Sequence, residues 1–347
     1  MRRIAFLLVI IAFISCSRNE KNDFGKHFLD KTLRINLVHS GDAYTESFKL
    51  EQIYDDGLWY GRTKNLVNPY RLGTYLYEVR DVETDDLLYS DGISTFFGEW
   101  RLTDEAKVTQ KSFNESIRVP FPGKDAKIIM YRIDSLDVIE PVWEYVLNKE
   151  SKSLIEPARN HNNRMLRLLD SGNPKDKVDI IILGDGYTID DIKLFGSDVM
   201  DFYDSFINTE PFKSRKNDFN VHAVQVPPVK ERNTLKVCNG IFGHDKYALT
   251  IDEWAFREYA TQAPYDYAVI LINTDESYGG SLYNLYITAT VRAQSEDYVI
   301  KHEMGHHIAG IADKFYSHET PNDSTSLSSY YDDLIEMINN VLDLHTK

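Results

Sequence analysis

The sequence predicts an α+β protein of two domains, an N-terminal all-β sandwich followed by a C-terminal α/β domain. Three observations support this prediction. The chain has 347 residues, more than one ordinary domain needs. Short segments of alternating apolar and polar residues fill its first half. In its second half, apolar strand-like segments alternate with helical segments, which is typical of α/β domains.

The first 16 residues have the organisation of an export signal. Arg2 and Arg3 precede an uninterrupted apolar run at 4–14, which is too short to span a bilayer. The segment then resembles a bacterial lipoprotein signal that is cut before Cys16, whose thiol receives lipid; an ordinary secretory signal is the alternative. We expect an exported protein, either an outer-membrane or cell-surface lipoprotein or a periplasmic or secreted one, with 17–27 as a flexible tether.

Composition excludes some classes of partner. The formal net charge of -15 argues against nucleic acid, because phosphate binding needs a basic surface. Membrane contact is expected only through a lipidated Cys16. Since Cys16 lies at the signal boundary, Cys238 has no partner for a disulfide in the mature chain, and stability must come from packed cores.

The segment 28–150 is predicted to form the β-sandwich. Its strand-like runs are separated by turn signals at 55–57, 90–92 and 122–123. It holds no cluster of residues with metal-ligand spacing, so we interpret it as a structural or substrate-positioning module. Examples of its alternating runs are 33–38, 74–79 and 127–131.

The second domain is predicted at 177–347, after a polar connector at 151–176 that is partly helical around 163–169. A helix is expected at 190–207. Four strands are expected at 178–183, 219–224, 267–272 and 285–291. A polar loop at 317–329 and a short amphipathic helix at 330–344 follow at the end of the chain.

The most informative motif is His302-Glu303-Met304-Gly305-His306, within an amphipathic helix predicted at 296–311. Residues four apart share one helix face, so both imidazoles can bind one Zn²⁺. Glu303 then lies beside the attacking water as general base. Gly310 is expected to reverse the chain at the end of the helix and to bring Asp313 towards the metal. The sequence therefore predicts a zincin-like zinc metallopeptidase domain with one zinc ion.

The third zinc ligand has more than one candidate. A metzincin would place it at Ala312, which cannot bind metal, and a gluzincin would take it from a later helix, where Glu336 is the candidate. We choose Asp313, with Glu336 and Glu319 as alternatives.

These segments together resemble the bacterial IgA-peptidase-type zinc metallopeptidases, HExxH zincins with an N-terminal β-module. The resemblance extends from about 30 to 316. It implies that His302 and His306 are the zinc histidines, that Glu303 is the catalytic base and that Asp313 is the acid of the motif. The segments that carry it are 89–92, 99–106, 120–122, 183–188, 210–212, 219–221, 273–274, 278–280 and 302–316.

Two hypotheses follow for function. The first is an exported zinc endopeptidase acting on protein or peptide substrates, with host immunoglobulin or glycoprotein as candidates. The second is a non-catalytic, degenerate peptidase-fold surface protein that binds protein or glycan. Departures from the family pattern motivate the second: Lys314 replaces the glutamate after the motif acid, and the tyrosine is displaced to Tyr316. Only about 31 residues follow Tyr316, so we expect the peptidase domain to be truncated at its C-terminus, with part of the family's substrate-binding floor missing.

Overall fold

The computed structural model describes residues 24–134, 138–149, 154–156, 165–226, 234–293, 296–310 and 324–345. Its α-helices, in chain order, are α1 (Phe24–His27), α2 (Phe96–Trp100), α3 (Ile192–Ile207), α4 (Glu253–Ala260), α5 (Glu296–Ala309) and α6 (Ser324–His345). Its strands are β1 (Phe28–Gly41), β2 (Glu46–Asp55), β3 (Tyr75–Asp81), β4 (Leu87–Ile93), β5 (Lys111–Pro122), β6 (Ala126–Ile133), β7 (Ile139–Leu147), β8 (Leu154–Ile155), β9 (Met165–Asp170), β10 (Val178–Asp185), β11 (Phe219–Gln225), β12 (Val237–Asn239), β13 (Ala248–Thr250), β14 (Tyr267–Ile272), β15 (Gly279–Leu282) and β16 (Tyr286–Ala289).

The N-terminal unit contains two four-stranded sheets, ordered β5-β1-β2-β8 and β4-β3-β6-β7. Apolar side chains from both sheets belong to one buried core, for example Ile35 and Ile117 from the first sheet and Val79 and Met130 from the second. Polar contacts also cross between the sheets: the Tyr75 hydroxyl on β3 donates to the Glu46 carboxylate on β2 at 2.7 Å. Strand β2 alternates between exposed and partly buried residues over most of its length, whereas β1, β3 and β4 contain runs of consecutive buried residues.

The C-terminal unit is built on a six-stranded mixed sheet ordered β15-β16-β14-β10-β11-β9. The strands β10, β11, β14 and β16 run parallel, and β9 and β15 are antiparallel edge strands. Residues of β10, β11 and β14 are buried throughout, as expected for parallel strands that are covered on both faces. The mixed α+β architecture and the two-part layout predicted from the sequence are confirmed.

Different layers cover the two faces of this sheet. Alternate residues such as Ile180 and Ile182 pack with α3, α5 and α6, in a core that includes Phe202 and Met304. The opposite face, including Ile181, belongs to the same core as the N-terminal sheets. The two units are therefore joined through a shared apolar core.

Buried polar contacts reinforce that junction where α4 meets β5. The Ser116 backbone N–H and hydroxyl donate to the Glu253 carboxylate at 3.0 and 2.6 Å. The Arg257 Nε donates to the Ser116 hydroxyl at 2.9 Å, and the Trp254 Nε1 donates to the Glu115 carbonyl at 2.9 Å. These contacts fix the orientation of the two units, because hydrogen bonds between buried groups demand defined geometry.

Two predictions about secondary structure were wrong. The expected helical turn at 163–169 is, over its described part, strand β9, which pairs antiparallel with β11. The polar loop expected at 317–329 is helical from 324 onward, so α6 begins earlier than predicted. In the first case the hydrogen-bonding edge of β11 outweighs a weak local helical preference.

Within the described ranges, none of the helices has the length and apolar character needed to cross a bilayer.

Candidate metal centre

Helix α5 carries the HExxH motif and packs against the C-terminal sheet. Ile300, Met304 and Ile308 recur at helical spacing and are buried in the core that α5 shares with the sheet. This packing leaves His302 and His306 partly exposed on an adjacent stripe of the helix. The buried apolar side thus fixes the rotation of the helix and leaves both imidazoles accessible at its surface.

The two motif histidines converge. Their Nε2 atoms are 3.0 Å apart, and their ring centroids are 4.4 Å apart with the planes at 77°. Two ring nitrogens that bind one tetrahedral Zn²⁺, each about 2.0–2.1 Å from it, lie about 3.3 Å from each other. The observed spacing is close to this value, so His302 and His306 fit a shared metal ion.

Glu303 lies between them in sequence and is 9% exposed. Its side chain lines a cavity of about 470 Å³. The other lining residues come from three places: Glu99 in α2 with Leu102 and Thr103 directly after it; Phe242, His244, Lys246 and Tyr247 between β12 and β13; and Ser277 and Gly279 at β15. A carboxylate at the wall of such a cavity can exchange protons with a bound substrate or water.

Helix α5 ends at Ala309, directly before the glycine that was predicted to end it. Gly310 has a φ of 59°, in the left-handed region, and its N–H donates to the His306 carbonyl at 2.9 Å. A Cβ at this position would lie 2.8 Å from the Leu72 Cβ, so the close approach of the N-terminal unit also requires glycine.

The third ligand stays a prediction. Asp313 lies outside the described residues, as do Lys314, Tyr316 and Glu319. Glu336 is described and is an exposed residue of α6. Across the described ranges, no group of three or more His, Cys, Asp or Glu side chains is placed to hold a metal ion. The structure therefore does not bring Glu336 to the histidine pair.

Sequence reasoning overlooked His307, the neighbour of His306. It is fully buried; its Nδ1–H donates to the Leu282 carbonyl at 3.1 Å, and its Nε2 accepts from the Ala268 N–H at 3.3 Å. Burial lowers the pKa of His307 to about 3, so the ring is neutral. His307 is thus a structural residue that ties α5 to β14 and β15. The sequence does contain a signal for this structural role. His307 follows His302 by five residues, and this spacing places it off the helix face that carries His302 and His306.

A buried HExxH helix with converging histidines and a glutamate in an adjoining cavity defines a candidate hydrolytic metal site. The comparisons with known proteins agree with this class. The family model for the Peptidase M64 N-terminus matches residues 23–144, and that for IgA Peptidase M64 matches residues 166–329. Together they cover most of the chain, and the protein belongs to this family of IgA-peptidase-type M64 peptidases. No curated protein matched the chain.

Proposed function

We propose that the protein is an exported zinc-dependent endopeptidase in which Glu303 is the general base. The observation that carries the proposal is the 3.0 Å approach of the His302 and His306 Nε2 atoms, on the helix whose Glu303 lines a cavity large enough for a peptide side chain. Membership of a peptidase family supports hydrolysis of protein or peptide substrates. It favours this function over that of a non-catalytic binding protein.

In this proposal His302 and His306 hold one zinc ion through Nε2, and Asp313 supplies a carboxylate oxygen as third ligand. Two histidines and a carboxylate are a donor set that suits catalytic zinc and leaves a position open for water or substrate. The position of Gly310 supports the choice of Asp313, because its left-handed backbone ends α5 three residues before that acid. When bound, zinc would polarise the peptide carbonyl and lower the pKa of a water molecule.

Glu303 moves the proton. Its carboxylate takes a proton from the attacking water and then donates it to the nitrogen of the leaving amine, so that one side chain serves as base and as acid. The low exposure of Glu303 helps, because electrostatic interactions are stronger where water is excluded. The neutral His307 keeps the helix in place and takes no part in the proton transfer.

We further propose an α/β zincin-like architecture for the C-terminal unit and a β-sandwich for the N-terminal module. Because β9 (Met165–Asp170) belongs to the C-terminal sheet, this unit begins before the predicted boundary at 177. The helix α5 lies on a mixed sheet of the C-terminal unit, and the two N-terminal sheets share one core, which supports both assignments. The signal at 1–16 supports export and lipid attachment at Cys16. Host immunoglobulin or glycoprotein are candidate substrates because of the family's description.

The proposal is tested with paired variants. Glu303→Gln should retain zinc and lose peptidase activity by a factor of about 10²–10⁴, because the amide removes the base but no ligand. His302→Ala should lose both metal and activity. The readouts are metal analysis of the purified protein and cleavage of casein.

Two further variants separate the ligand candidates. Asp313→Asn should weaken zinc binding, whereas Glu336→Gln should leave zinc content and activity unchanged, since Glu336 is exposed on α6 and away from the histidine pair. Cleavage by Glu303→Gln at the wild-type rate would exclude Glu303 as the base. A zinc-loaded wild type that cleaves no substrate would favour the non-catalytic alternative.

A further inference from the structure

The cavity beside Glu303 is built by both units of the protein. Leu102 and Thr103 follow α2 in the N-terminal unit, and Phe242 and Lys246 belong to the β12–β13 hairpin of the C-terminal unit. The N-terminal unit therefore forms part of the wall of the candidate active site. Side chains that line such a wall decide which substrate side chains can enter.

The turn after α2 holds Leu102 in a defined position. Trp100, two residues before Leu102, is 1% exposed and donates from Nε1 to the Glu105 carboxylate at 2.8 Å. Arg101 Nη1 donates to the Glu46 carboxylate at 2.8 Å, and the Thr103 N–H donates to the Trp100 carbonyl at 3.0 Å. Leu102 itself is 75% exposed. A rigid turn thus carries a large apolar side chain into the cavity without covering it.

Phe242 supplies a second apolar surface, from a strained backbone. Its φ is 58°, which a bulky residue rarely adopts, and strain of this kind is often retained at functional sites. Its ring packs edge-on against Phe96 of the N-terminal unit, with the centroids 5.0 Å apart, and lies 6.1 Å from the Tyr247 ring. The Gly279 N–H donates to the Lys246 carbonyl at 3.1 Å, which connects this hairpin to β15.

The charged residues of the wall carry both signs. Glu99 and Glu303 are acidic and Lys246 is basic, and they line the cavity together with Leu102, Phe242 and Tyr247. The volume of about 470 Å³ lies within the range of roughly 300–1,000 Å³ that is usual for ligand sites. An apolar side chain of a ligand would gain the most binding free energy at this site, because it would remove the exposed Leu102 side chain and the Phe242 ring from water.

We propose that this cavity is a specificity subsite that takes a large apolar or aromatic side chain of the substrate, close to the scissile bond, and that Leu102 and Phe242 determine this preference. The inference rests on the proposed peptidase function and deepens it by naming a substrate class. Catalysis itself stays with Glu303 and the metal ligands. The N-terminal module then has a direct role in substrate selection.

The test profiles cleavage of a peptide library prepared from a digested proteome by the full-length, zinc-loaded protein. Wild type should cut at sites enriched in Phe, Tyr, Leu and Met at one position. The variants are Leu102→Glu, which places a charge on the wall, and Phe242→Gly, which removes the ring but keeps a residue that adopts positive φ readily. The matched control is Val108→Glu, because Val108 is 85% exposed in the same module and does not line the cavity.

For a pair of peptides that differ only by Phe or Gly at the selected position, Leu102→Glu and Phe242→Gly should reduce the ratio of kcat/KM values by about 10-fold or more. Val108→Glu should retain the wild-type ratio and the wild-type rates on both peptides. A wild type that cleaves without apolar preference, or variants with an unchanged ratio, would overturn the subsite while leaving the peptidase function intact. A wild type that cleaves nothing in the library would overturn both.

Discussion

Replacement of His307 by leucine tests whether His307 has a structural role, in contrast to the adjacent His306, which is a candidate metal ligand. Leucine has a similar size and is apolar, so the change removes two hydrogen bonds with little change in volume. The buried Ala268 N–H would lose its acceptor, which costs about 1–3 kcal/mol. The Leu282 carbonyl would retain the Leu285 N–H as a donor, so its loss is about 1 kcal/mol. The expected loss in the free energy of unfolding is thus about 2–4 kcal/mol.

Urea denaturation of the metal-free protein, followed by far-UV circular dichroism, measures this loss. His306→Leu is the matched control: its side chain is partly exposed, and it should change zinc content much more than the stability of the metal-free protein. Zinc analysis of both variants completes the comparison. If His307→Leu unfolds within about 0.5 kcal/mol of wild type, a size typical of neutral surface changes, the hydrogen bonds of His307 do not stabilise the helix.

Two other predictions concern the backbone end of α5 and the buried junction. Gly310→Ala should destabilise the protein by roughly 1–2 kcal/mol, because a φ of 59° is costly for alanine and the new Cβ would contact Leu72. Thermal unfolding measures this loss of stability. The control is Gly25→Ala, because a Cβ at Gly25 would have no neighbouring atom within 4 Å. Burial raises the pKa of Glu253 to about 8 from its usual 4.5, so the folded protein favours the protonated carboxyl. The contribution of this group to the free energy of unfolding is therefore complete below about pH 4.5 and is lost as the pH rises through about 8. Wild type should therefore lose about 2 kcal/mol relative to Glu253→Gln between about pH 6 and pH 8, and parallel stability curves would contradict this.

The elements that sequence predicts well are those with strong local signals. The strands β10, β11 and β14 are continuous apolar runs, and their observed limits differ from the predicted ones by no more than two residues. The helix α5 was expected at 296–311 and ends at Ala309, where the left-handed Gly310 stops it. In these cases the signals are local: the spacing of apolar residues sets the type of element, and a glycine ends the helix, both within a few residues of the chain.

The features that sequence reasoning missed depend on contacts between distant segments. Strand β9 forms because β11 offers a free edge 50 or more residues later in the chain, which no local pattern reveals. The role of His307 requires the positions of β14 and β15. The wall of the cavity joins the turn after α2 to a hairpin that begins at Val237, two segments with no common motif. Only the folded arrangement places them together.

The N-terminal unit is held at the candidate site by direct contacts with the C-terminal unit, and not only by the covalent chain that joins the two units. Leu72 approaches Gly310 at the end of α5, Phe96 packs on the strained Phe242, and the Asn284 side chain donates to the Gly92 carbonyl at 2.8 Å. A module tied by a flexible linker alone would expose the apolar face of the sheet that includes Ile181, which here is buried in the shared core. Separation of the units would therefore expose apolar surface and leave the Glu253 and Arg257 side chains without their Ser116 contacts. Separation would also remove the contact of Phe96 with Phe242, so the docked module supports one side chain of the cavity wall directly.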